Sequence, residues 1–387
     1  MEWKEVRLGD FMQCNPKRTI KKGQKARKIT MDLLIPHSKT IRNWNYEPYS
    51  GGAKFQNGDT IMARITPCLE NGKHAFVSIL DEGEIAYGST EYFVFCGKEK
   101  VSDNDFVYYL TQTPLFRDTA IKSMVGSSGR QRAQMDVLEN LKMFVPKDIS
   151  DQRRIASILS SLDWMIELNN KINADLEEMA QAIFKNWFVD FEPFKDGKFV
   201  DSELGMIPEG WKVGSLGDFC NVFTGKKNTN QAIEKGLYPF FSCAPEPLAS
   251  NDAIFNGKAI IIAGNGSYTG RTSFYNGGFD LYQRTYACTI REQDKENLMI
   301  FFYHMMKQFF EPTKMGGTRG SSIPYIVMGD ITQQKFPYSE DWLIRFSNIA
   351  NSMMDRKLRI DKENSRLSLL RDTLLPRLMS GELEVPE

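Results

Sequence analysis

The 387-residue chain carries one series of short segments twice, and this internal repeat constrains its fold more than any other feature. A repeat of this length predicts two structural units built on one scaffold, each with its own hydrophobic core. The letters "WKEVRLGDF" return as "WKVGSLGDF", and each copy later reaches an apolar residue followed by proline and then a long helical pattern. The three matched pairs of segments are Trp3–Phe11 with Trp211–Phe219, Asn57–Phe76 with Asn256–Phe274, and Met124–Met135 with Met315–Ile326.

A long helical pattern follows each copy of the repeat. From Asp151 to about Asp190 no proline or glycine interrupts the chain, and apolar residues recur every three or four positions, the period of a coiled-coil seam. At a rise of 1.5 Å per residue, a helix of this length spans roughly 58 Å. The predicted seam contains Ile155, Leu162, Asn169, Leu176 and Ile183 in the first helix, and Phe346, Met353, Ile360, Leu367 and Leu374 in the second.

Between these positions the same spacing adds Met165 and Met179 to the first seam, and it places Arg356 and Glu363 in the second. Asn169 is expected to fix the register of the pair, because a buried amide is satisfied in few alignments. The matched lengths and registers favour an antiparallel coiled coil formed by the two helices. The alternative is two ordinary amphipathic helices that pack on separate domains.

The globular part of each copy alternates short β-like runs with turns, and one helical stretch comes late in it, near Phe106–Ser123 and Leu298–Phe310. This order predicts an α+β fold rather than a parallel βαβ sheet. We therefore expect two tandem globular α/β domains, separated by two long helices that form an antiparallel coiled coil with pseudo-two-fold internal repetition. The expected boundaries are 1–149 and 205–338 for the globular domains, and 150–204 and 339–387 for the helical regions.

Composition restricts the class of protein and of site. The chain begins with charged residues and contains no run of about 18 apolar residues, so a cytoplasmic protein is expected. Six cysteines without a C-x-x-C pair and three scattered histidines predict neither a disulfide framework nor a metal site. The net charge is zero, but residues 1–150 carry +4 and residues 205–338 carry +2, whereas the two helical regions are acidic. This distribution is compatible with binding to DNA.

A glycine-rich loop follows an apolar run in the second copy, "AIIIAGNGSYTGRTSFY" at Ala259–Tyr275. A phosphate-binding loop would lead directly into a helix, whose N-terminal amides hold the phosphates of a nucleotide. The residues after this loop instead predict a second strand and another turn, and no G-K-[S/T] follows. We therefore predict a β-turn-β hairpin and no bound cofactor.

Polar side chains that can recognise base edges cluster at the predicted turns. Arg and Lys pair with guanine, Asn and Gln pair with adenine, and Ser and Thr are adaptable. A basic segment, "PKRTIKKGQKARK", is expected to contact phosphates through Lys17 and Arg18. Each turn taken alone is equally well explained as a solvated loop, but their occurrence in both copies favours binding. The other candidates are Arg64, Asn71, Lys73, Ser89, Thr90, Glu91, Ser127, Ser128, Arg130, Gln131 and Arg132 in the first copy, and Asn265, Ser267, Tyr268, Thr269, Arg271, Gln283, Arg284, Thr285, Thr318, Arg319, Ser321 and Ser322 in the second.

Two tracts resemble a known family. "IFKNWFVDFEPFKDGKFVDSELGMIPEGWKVGSLGDF", at Ile183–Phe219, resembles the central region of the specificity subunits of type I restriction-modification systems. "LLPRLMSGELEV", at Leu374–Val385, resembles the end of the distal region of the same family. The order of recognition unit, helix, recognition unit and helix matches this family over essentially the whole chain.

The resemblance implies a non-catalytic subunit that recognises a bipartite DNA target. Each globular domain would bind a short half-site, and the paired helices would set the length of the spacer. Two DNA adenine methyltransferase subunits would dock along the helical regions, and nuclease-translocase subunits would join them. Because the two turns differ in sequence, the target is expected to be asymmetric.

Two other classes of function remain as alternatives. The chain could itself be a DNA methyltransferase, but it contains no Pro-Pro dipeptide and hence no D/N-P-P-F/Y motif. It could also be a coiled-coil adaptor that binds only proteins. Sequence-selective DNA binding by the assembled complex distinguishes a specificity subunit from such an adaptor, and binding of S-adenosylmethionine to the isolated chain would support a methyltransferase.

Overall fold

The computed structural model describes residues 1–309 and 324–385, which form two compact units. Unit 1 comprises Met1–Lys171 and Ile360–Glu387, and unit 2 comprises Ile172–Arg359. Each unit contains one copy of the repeat and a part of each long helix. The predicted α+β class, with two tandem globular domains and two long helices, is confirmed.

Unit 1 holds two four-stranded sheets and one two-stranded sheet. The strands are β1 (Trp3–Arg7), β2 (Met12–Cys14), β3 (Lys25–Ile29), β4 (Asn45–Pro48), β5 (Lys54–Phe55), β6 (Thr60–Ala63), β7 (His74–Phe76), β8 (Ala86–Gly88), β9 (Tyr92–Gly97) and β10 (Lys142–Pro146). The sheet orders are β2-β9-β6-β7, β4-β3-β8-β5 and β1-β10. The helices are α1 (Leu8–Phe11), α2 (Asn104–Leu110), α3 (Pro114–Lys122), α4 (Met135–Asn140) and the first part of α5 (Ile149–Phe188), with a 3-10 turn at Met31–Leu33.

Helix α2 lies at the centre of the core of unit 1. Asp103 caps its N-terminus. The carboxylate of Asp103 accepts a hydrogen bond from the backbone N–H of Phe106 at 3.2 Å and so satisfies one free donor of the first turn. Its residues from Phe106 to Leu110 are all buried, because strand β9 covers one side and α5 contributes Ile155 and Leu159 to the same cluster.

Unit 2 holds a six-stranded sheet and two short two-stranded sheets. The strands are β11 (Phe199–Val200), β12 (Ile207–Pro208), β13 (Lys212–Ser215), β14 (Cys220–Thr224), β15 (Tyr238–Phe241), β16 (Leu248–Ser250), β17 (Phe255–Ala263), β18 (Thr272–Leu281), β19 (Thr285–Ile290) and β20 (Lys335–Tyr338). The sheet orders are β14-β19-β17-β18-β15-β16, β13-β20 and β11-β12. The helices are α6 (Leu216–Phe219), α7 (Met299–Phe309), α8 (Met328–Thr332) and the first part of α9 (Glu340–Met379), with 3-10 turns at Glu192–Phe194, Thr229–Gln231 and Gln293–Leu298.

The repeat seen in the sequence is a repeat of the backbone. In each unit the strand that precedes "LGDF" pairs antiparallel with the strand that leads into the long helix, as β1 with β10 and β13 with β20. The "LGDF" letters form a short helix in both units, α1 and α6. The first residue of that helix donates its N–H to an equivalent carbonyl, from Leu8 to Leu141 at 2.9 Å and from Leu216 to Gln334 at 3.0 Å.

Aromatic residues of the tract Ile183–Phe219 build the core of unit 2. Phe184 and Phe188 stack at 5.4 Å between ring centroids, and both pack against Phe301 of α7 and Phe346 of α9. Trp211 lies 5.6 Å from the ring of Phe188. Each such buried ring stabilises the unit by about 1.5–3 kcal/mol relative to an exposed one, which explains why this tract is so rich in aromatic residues.

The buried stripe of α5 differs from part of the predicted seam by one position. Ile155 and Leu162 are buried, and Asn169, Leu176 and Ile183 are partly buried. Of the positions predicted between them, Ile158 and Ile172 are partly buried, whereas Met165 and Met179 are wrong, since they are 38% and 53% exposed. The next residues along the chain, Ile166 and Ala180, face inwards instead, together with Leu159 and Asn173.

Helix α9 shows the same displacement. Phe346 and Ile360 are buried, and Met353, Leu367 and Leu374 are partly buried. Arg356 and Glu363, which the predicted seam included, are exposed, and their places in the stripe are taken by the next residues, Lys357 and Asn364.

Polar pairs across the helices explain the displacement. In unit 1, Asp163 accepts from Arg371 at 2.7 Å, Asn169 donates to Asn364 at 2.9 Å, and Asn364 donates to Asn170 at 3.1 Å. Residue numbers rise along α5 as those of their partners fall along α9, so the pairing is antiparallel, as predicted. A prediction from the spacing of apolar residues misplaces part of the seam, because these seam positions carry polar side chains whose hydrogen-bond partners lie on the other helix.

Candidate nucleic-acid interface

Three predicted loops of unit 1 meet at the end of the β6–β7 hairpin. Arg64 donates its backbone N–H to the carbonyl of Glu91 at 2.9 Å, and Thr66 donates to the carbonyl of Gln131 at 3.0 Å. Ala133 donates to the carbonyl of Arg64 at 2.8 Å. The hairpin tip, the loop after β8 and the segment 125–133 therefore form one surface, although they are far apart in the sequence.

Unit 2 contains an equivalent set of backbone hydrogen bonds at the glycine-rich loop. We call this set of bonded loops, in either unit, the frame. The loop joins the antiparallel strands β17 and β18, which confirms the predicted β-turn-β hairpin. Gly264 donates to the carbonyl of Arg284 at 3.0 Å, and Gly266 donates to that of Pro324 at 3.2 Å. Ile326 donates to the carbonyl of Gly264 at 2.8 Å. A Cβ atom on Gly264 would lie 2.4 Å from the carbonyl oxygen of Arg284, so this close approach requires glycine.

The two frames align residue by residue. The bridge between Ile65 and Arg132 in unit 1 corresponds to the bridge between Asn265 and Tyr325 in unit 2. Ala133 thus corresponds to Ile326 in the structure. The repeat read from the sequence matched Ile326 with Met135 instead, which is two residues further along the chain. The side chains on the common frame differ: Arg64 stands where unit 2 has Gly264, Glu91 where it has Arg284, and Arg132 where it has Tyr325.

An ion pair and a cation–π contact shape the surface of unit 1. Arg132 donates from Nε and Nη2 to the carboxylate of Glu91, at 3.0 and 2.7 Å, and this partner raises the pKa of Arg132. The guanidinium of Arg64 lies 4.9 Å from the ring centroid of Phe93, and its Nε atom is buried without a hydrogen bond. Arg64 is therefore held in place by the ring of Phe93 and by an ion pair with Glu91 at 4.0 Å, while the end of its fork remains available to a ligand.

The remaining candidates of unit 1 vary in exposure. Thr66 bonds Glu70, Lys73 donates to the carbonyl of Met31 at 2.7 Å, and the hydroxyl of Ser89 accepts from Glu91. These bonds hold the loops in shape. The fully exposed candidates are Lys17, Asn71, Thr90, Ser127, Ser128 and Arg130, whereas Gln131 is half-buried.

Several candidates of unit 2 stabilise the loop itself. Arg271 donates to the carbonyls of Ala244 and Pro245, and burial lowers the pKa of its guanidinium. The hydroxyl of Thr269 is buried and donates to the carbonyls of Gly266 and Pro324. Thr285 is also buried, so the prediction that Thr269 and Thr285 contact bases is wrong: neither hydroxyl is exposed to a base edge.

The exposed candidates of unit 2 lie on both sides of this frame. Arg284 is exposed and its guanidinium makes no ion pair or hydrogen bond within the described part of the chain. Tyr268 is 45% exposed, and Gln283 donates to Asn228 at 2.6 Å. Asn265 accepts a hydrogen bond from the Cys243 thiol at 3.1 Å. Ser267 is also exposed, and Thr318, Arg319, Ser321 and Ser322 lie outside the described residues.

The basic segment at residues 17–28 is partly neutralised. Arg18 forms a two-pronged bond with Asp59, which is almost fully buried, and burial raises the pKa of that carboxyl against the effect of Arg18. Arg27 pairs with Glu84 at 3.1 Å, and Lys28 pairs with Glu47 at 2.8 Å. Lys17 is thus a better phosphate contact than Arg18, as are the exposed lysines Lys21, Lys22 and Lys25.

The sequence analysis missed Phe93 under Arg64, Cys243 beside Asn265, and Tyr325 at the place of Arg132. Only Tyr325 carried a signal, because it lies beside a segment already matched to the first copy. Within residues 1–309 and 324–385, no group of three or more His, Cys, Asp and Glu could hold a metal ion. In the same ranges no helix combines the length and apolar character needed to span a bilayer.

Comparisons with known proteins agree with this architecture. The type I restriction modification DNA specificity domain matches residues 1–178 and 208–339. The MjaIX specificity subunit of Methanocaldococcus jannaschii is 28% identical over 305 residues, covering 73% of this chain and 70% of that subunit. The HindI specificity subunit of Haemophilus influenzae is 24% identical, covering 99% of this chain and 100% of that subunit. The crystal structure of a type I restriction-modification S subunit from M. genitalium matches with a TM-score of 0.55 at 15% identity, covering 100% and 96% of the two chains, and it supports the fold. The chain belongs to the family of specificity subunits of type I restriction-modification systems.

Proposed function

We propose that this chain is the DNA-binding specificity subunit of a type I restriction-modification complex. The observation that carries the proposal is the common backbone frame with different side chains, Arg64, Glu91 and Arg132 against Gly264, Arg284 and Tyr325. One scaffold with two different surfaces fits two different half-sites. We assign the half-sites to residues 1–149 and 205–338 and expect an asymmetric, bipartite target.

In unit 1 we assign Arg64 as the principal base contact. A guanidinium pairs with the O6 and N7 atoms of guanine through two parallel hydrogen bonds, and Phe93 fixes the orientation of this fork. Arg132 is held by Glu91, so we expect it to orient the loop 125–133 rather than to contact a base. Arg130 and Asn71, which are exposed, are the adaptable contacts around Arg64.

In unit 2 we assign Arg284 to the equivalent role. It stands on the frame where unit 1 has the acidic Glu91, and its guanidinium is exposed without a partner among the described residues. Tyr268 and Ser267 project from the neighbouring turn and complete the surface. This reversal of charge predicts that the two half-sites differ in the position of their guanine.

Partner subunits are proposed to dock on the helices. In unit 1 the outer faces of α5 and α9 expose apolar side chains, among them Trp164 at 65%, Leu168 at 41% and Leu369 at 69%. Exposed aromatic and aliphatic anchors of this kind are typical of protein interfaces. We propose that two methyltransferase subunits bind the helical regions, that restriction subunits join them, and that the chain itself is non-catalytic and acts in the cytoplasm.

The central experiment maps methylated adenines in cells that express this chain with its methyltransferase. We expect one gapped, asymmetric motif in the wild type. Arg64→Gln should relax one half of the motif and Arg284→Gln the other, each by about ten- to a hundred-fold in discrimination, because a bidentate arginine–guanine pair contributes about 1–3 kcal/mol. Lys142→Gln, a change of equal charge at an exposed residue of β10, which pairs with β1 in a separate two-stranded sheet, is the control. Methylation without a gap, or a change of both halves by one substitution, would refute the assignment.

Spacer length is proposed to follow helix length. One heptad inserted after Asn170 and another before Asn364 preserves the pairs on both sides of the insertion, because the helices are antiparallel. The insertions add about 10.5 Å of helix, which corresponds to about three base pairs of DNA at 3.4 Å each. We expect a spacer longer by about three base pairs, or loss of methylation. An unchanged spacer with full methylation would exclude the helices as the measuring element.

Docking is tested separately by co-purification. Trp164→Ala should reduce recovery of the methyltransferase, because it removes the largest exposed apolar side chain of α5. Leu115→Ala, which truncates another exposed side chain on the separate helix α3, should leave recovery unchanged. Equal recovery with both variants would place the docking surface elsewhere.

A further inference from the structure

Unit 1 contains a cavity of about 280 Å³ that the proposed function does not use. It lies where α2 and α3 approach α5 and the end of α9. Its size is slightly below the lower end of the range for pockets that hold drug-sized molecules, so a small ligand fits best. The polar residues that line it are His37, His74, Tyr108, Tyr109, Gln112, Arg117, Asp163, Arg371 and Asp372.

Two guanidinium groups line this cavity, and only one of them is neutralised. Arg371 pairs with Asp163 at 2.7 Å and with Asp372 at 2.8 Å. Arg117 forms no ion pair within the described part of the chain, and its one hydrogen bond, to the carbonyl of Leu69, is 3.5 Å long. Burial lowers the pKa of Arg117, and Asp118 beside it only partly opposes this effect. A half-buried cation without a paired anion favours an anionic ligand.

The two histidines that appeared unrelated in the sequence meet in this cavity. The rings of His37 and His74 are 6.3 Å apart and edge-on, and His74 lies 5.6 Å from the ring of Tyr108. Burial and then the charge of Arg117 lower the pKa of both histidines, so both rings are neutral at pH 7 and each has one nitrogen that donates. His37 also feels Asp372 and Arg371 from α9.

The backbone holds His37 in this place. Its φ is 57°, in the left-handed region that side chains rarely adopt, and its N–H donates to the carbonyl of Gly72 at 3.0 Å. A Cβ atom on Gly72 would lie 2.4 Å from Cε1 of His37, so glycine makes room for the ring. Strain of this kind persists where the surrounding structure requires it, often at binding sites. Tyr108 is almost fully buried, and its hydroxyl has no hydrogen-bond partner among the described residues.

We propose that this cavity binds a phosphate-sized oxyanion. Arg117 supplies the charge, and His37 and Tyr108 supply donors for which the described part of the chain offers no strong partner. His74, whose ring also bonds the backbone of Gly72, lines the site beside them. The anion would connect α2 and α3 to the loop that carries His37, which is itself tied to α9 through the hydrogen bond from Arg371 to the His37 carbonyl at 3.5 Å. None of the residues that line the cavity is assigned to a DNA contact, so the proposal does not depend on the proposed function.

The three histidines of the chain provide the test. Nuclear magnetic resonance of the full chain labelled at histidine Cε1 is followed while inorganic phosphate replaces chloride at constant ionic strength. The resonances of His37 and His74 should shift to saturation and their pKa should rise, because a nearby anion favours the protonated ring. His304, which lies in unit 2, should not respond and serves as an internal control. The absence of a saturable shift, or an equal shift of His304, would overturn the proposal.

Two variants and a second ligand sharpen the result. Arg117→Gln should weaken the phosphate response by at least ten-fold, whereas Arg366→Gln, an exposed change of equal charge on α9, should not. Protection of the α2 amides from hydrogen exchange shows that unit 1 of Arg117→Gln has folded. A full response to phosphate in that folded variant would contradict the proposal. Adenosine triphosphate is titrated in parallel. A response to phosphate alone assigns free phosphate as the ligand, and a tighter response to the nucleotide assigns its terminal phosphate.

Discussion

Glu177 connects three elements of unit 2 and is a sensitive point of its stability. Its carboxylate accepts hydrogen bonds from Lys307 at 2.7 Å and Tyr303 at 2.8 Å, both on α7, and from Lys357 of α9 at 2.8 Å. Its side chain is only 16% exposed. Burial alone would raise its pKa, but the two lysines outweigh burial and lower the pKa to about 2 from a usual value of 4.5.

The substitution Glu177→Gln removes this charge and leaves the two lysines close to each other. A pKa lowered by roughly 2.5 units corresponds to about 3 kcal/mol of stability, and we expect the free energy of opening of unit 2 to fall by about this amount at pH 7. Because the folded pKa lies below the unfolded one, this stabilisation is complete above pH 4.5 and is lost as the pH falls towards 2. The wild type and the variant should therefore converge in acid.

Native-state hydrogen exchange of peptides from α7 measures this free energy in unit 2 alone. A loss of about 3 kcal/mol should accelerate exchange at pH 7 roughly a hundred-fold, and the ratio should shrink below pH 4.5 after correction for the intrinsic rates. Glu178→Gln, the same change at the exposed neighbouring residue, should exchange like the wild type. Equal exchange of Glu177→Gln and Glu178→Gln at pH 7 would refute the assigned role of the lysine pairs.

Three further predictions concern residues whose environments are equally specific. His304 is buried, and mainly for this reason its pKa is lowered to about 4, so the unfolding free energy of unit 2 should fall by about 3 kcal/mol between pH 6.5 and pH 4. In urea denaturation, the unfolding free energy of His304→Phe should depend less on pH over that window. An unchanged pH dependence would contradict this prediction. Gly264→Ala places a Cβ 2.4 Å from the carbonyl of Arg284, which should lower the denaturation free energy by about 1–3 kcal/mol; no loss would show that the loop can move aside. Asp163→Asn leaves the buried guanidinium of Arg371 with a weaker partner and should cost about 3 kcal/mol in the same assay, whereas a cost below about 1 kcal/mol would mean that water replaces the carboxylate.

The sequence by itself determined the number and kind of units. A repeat of turn residues and apolar runs predicts a repeated backbone, because each such segment specifies a local conformation that does not depend on distant residues. The "LGDF" helices and the glycine-rich hairpin followed the prediction for this reason. The long helices were equally clear, since an uninterrupted apolar period over about 40 residues has few other outcomes.

Tertiary structure decided which face of each long helix is buried. The apolar period alone pointed to Met165 and Met179, but the stripe follows Asp163, Asn170 and Glu177, whose polar groups are satisfied by partners near the other end of the sequence. A charged residue at a seam looks like a surface residue until its partner is known, so a local pattern displaces part of the seam by one position.

The functional surfaces depended on tertiary structure for the same reason. Arg18 and Lys17 are neighbours in a basic run, yet Arg18 is neutralised by Asp59, 41 residues away, and Lys17 is exposed. His37 and His74 look scattered in the sequence and share one cavity in the fold. Residue type determines which chemistry is possible, but charge pairing and proximity arise only when the chain brings distant residues together.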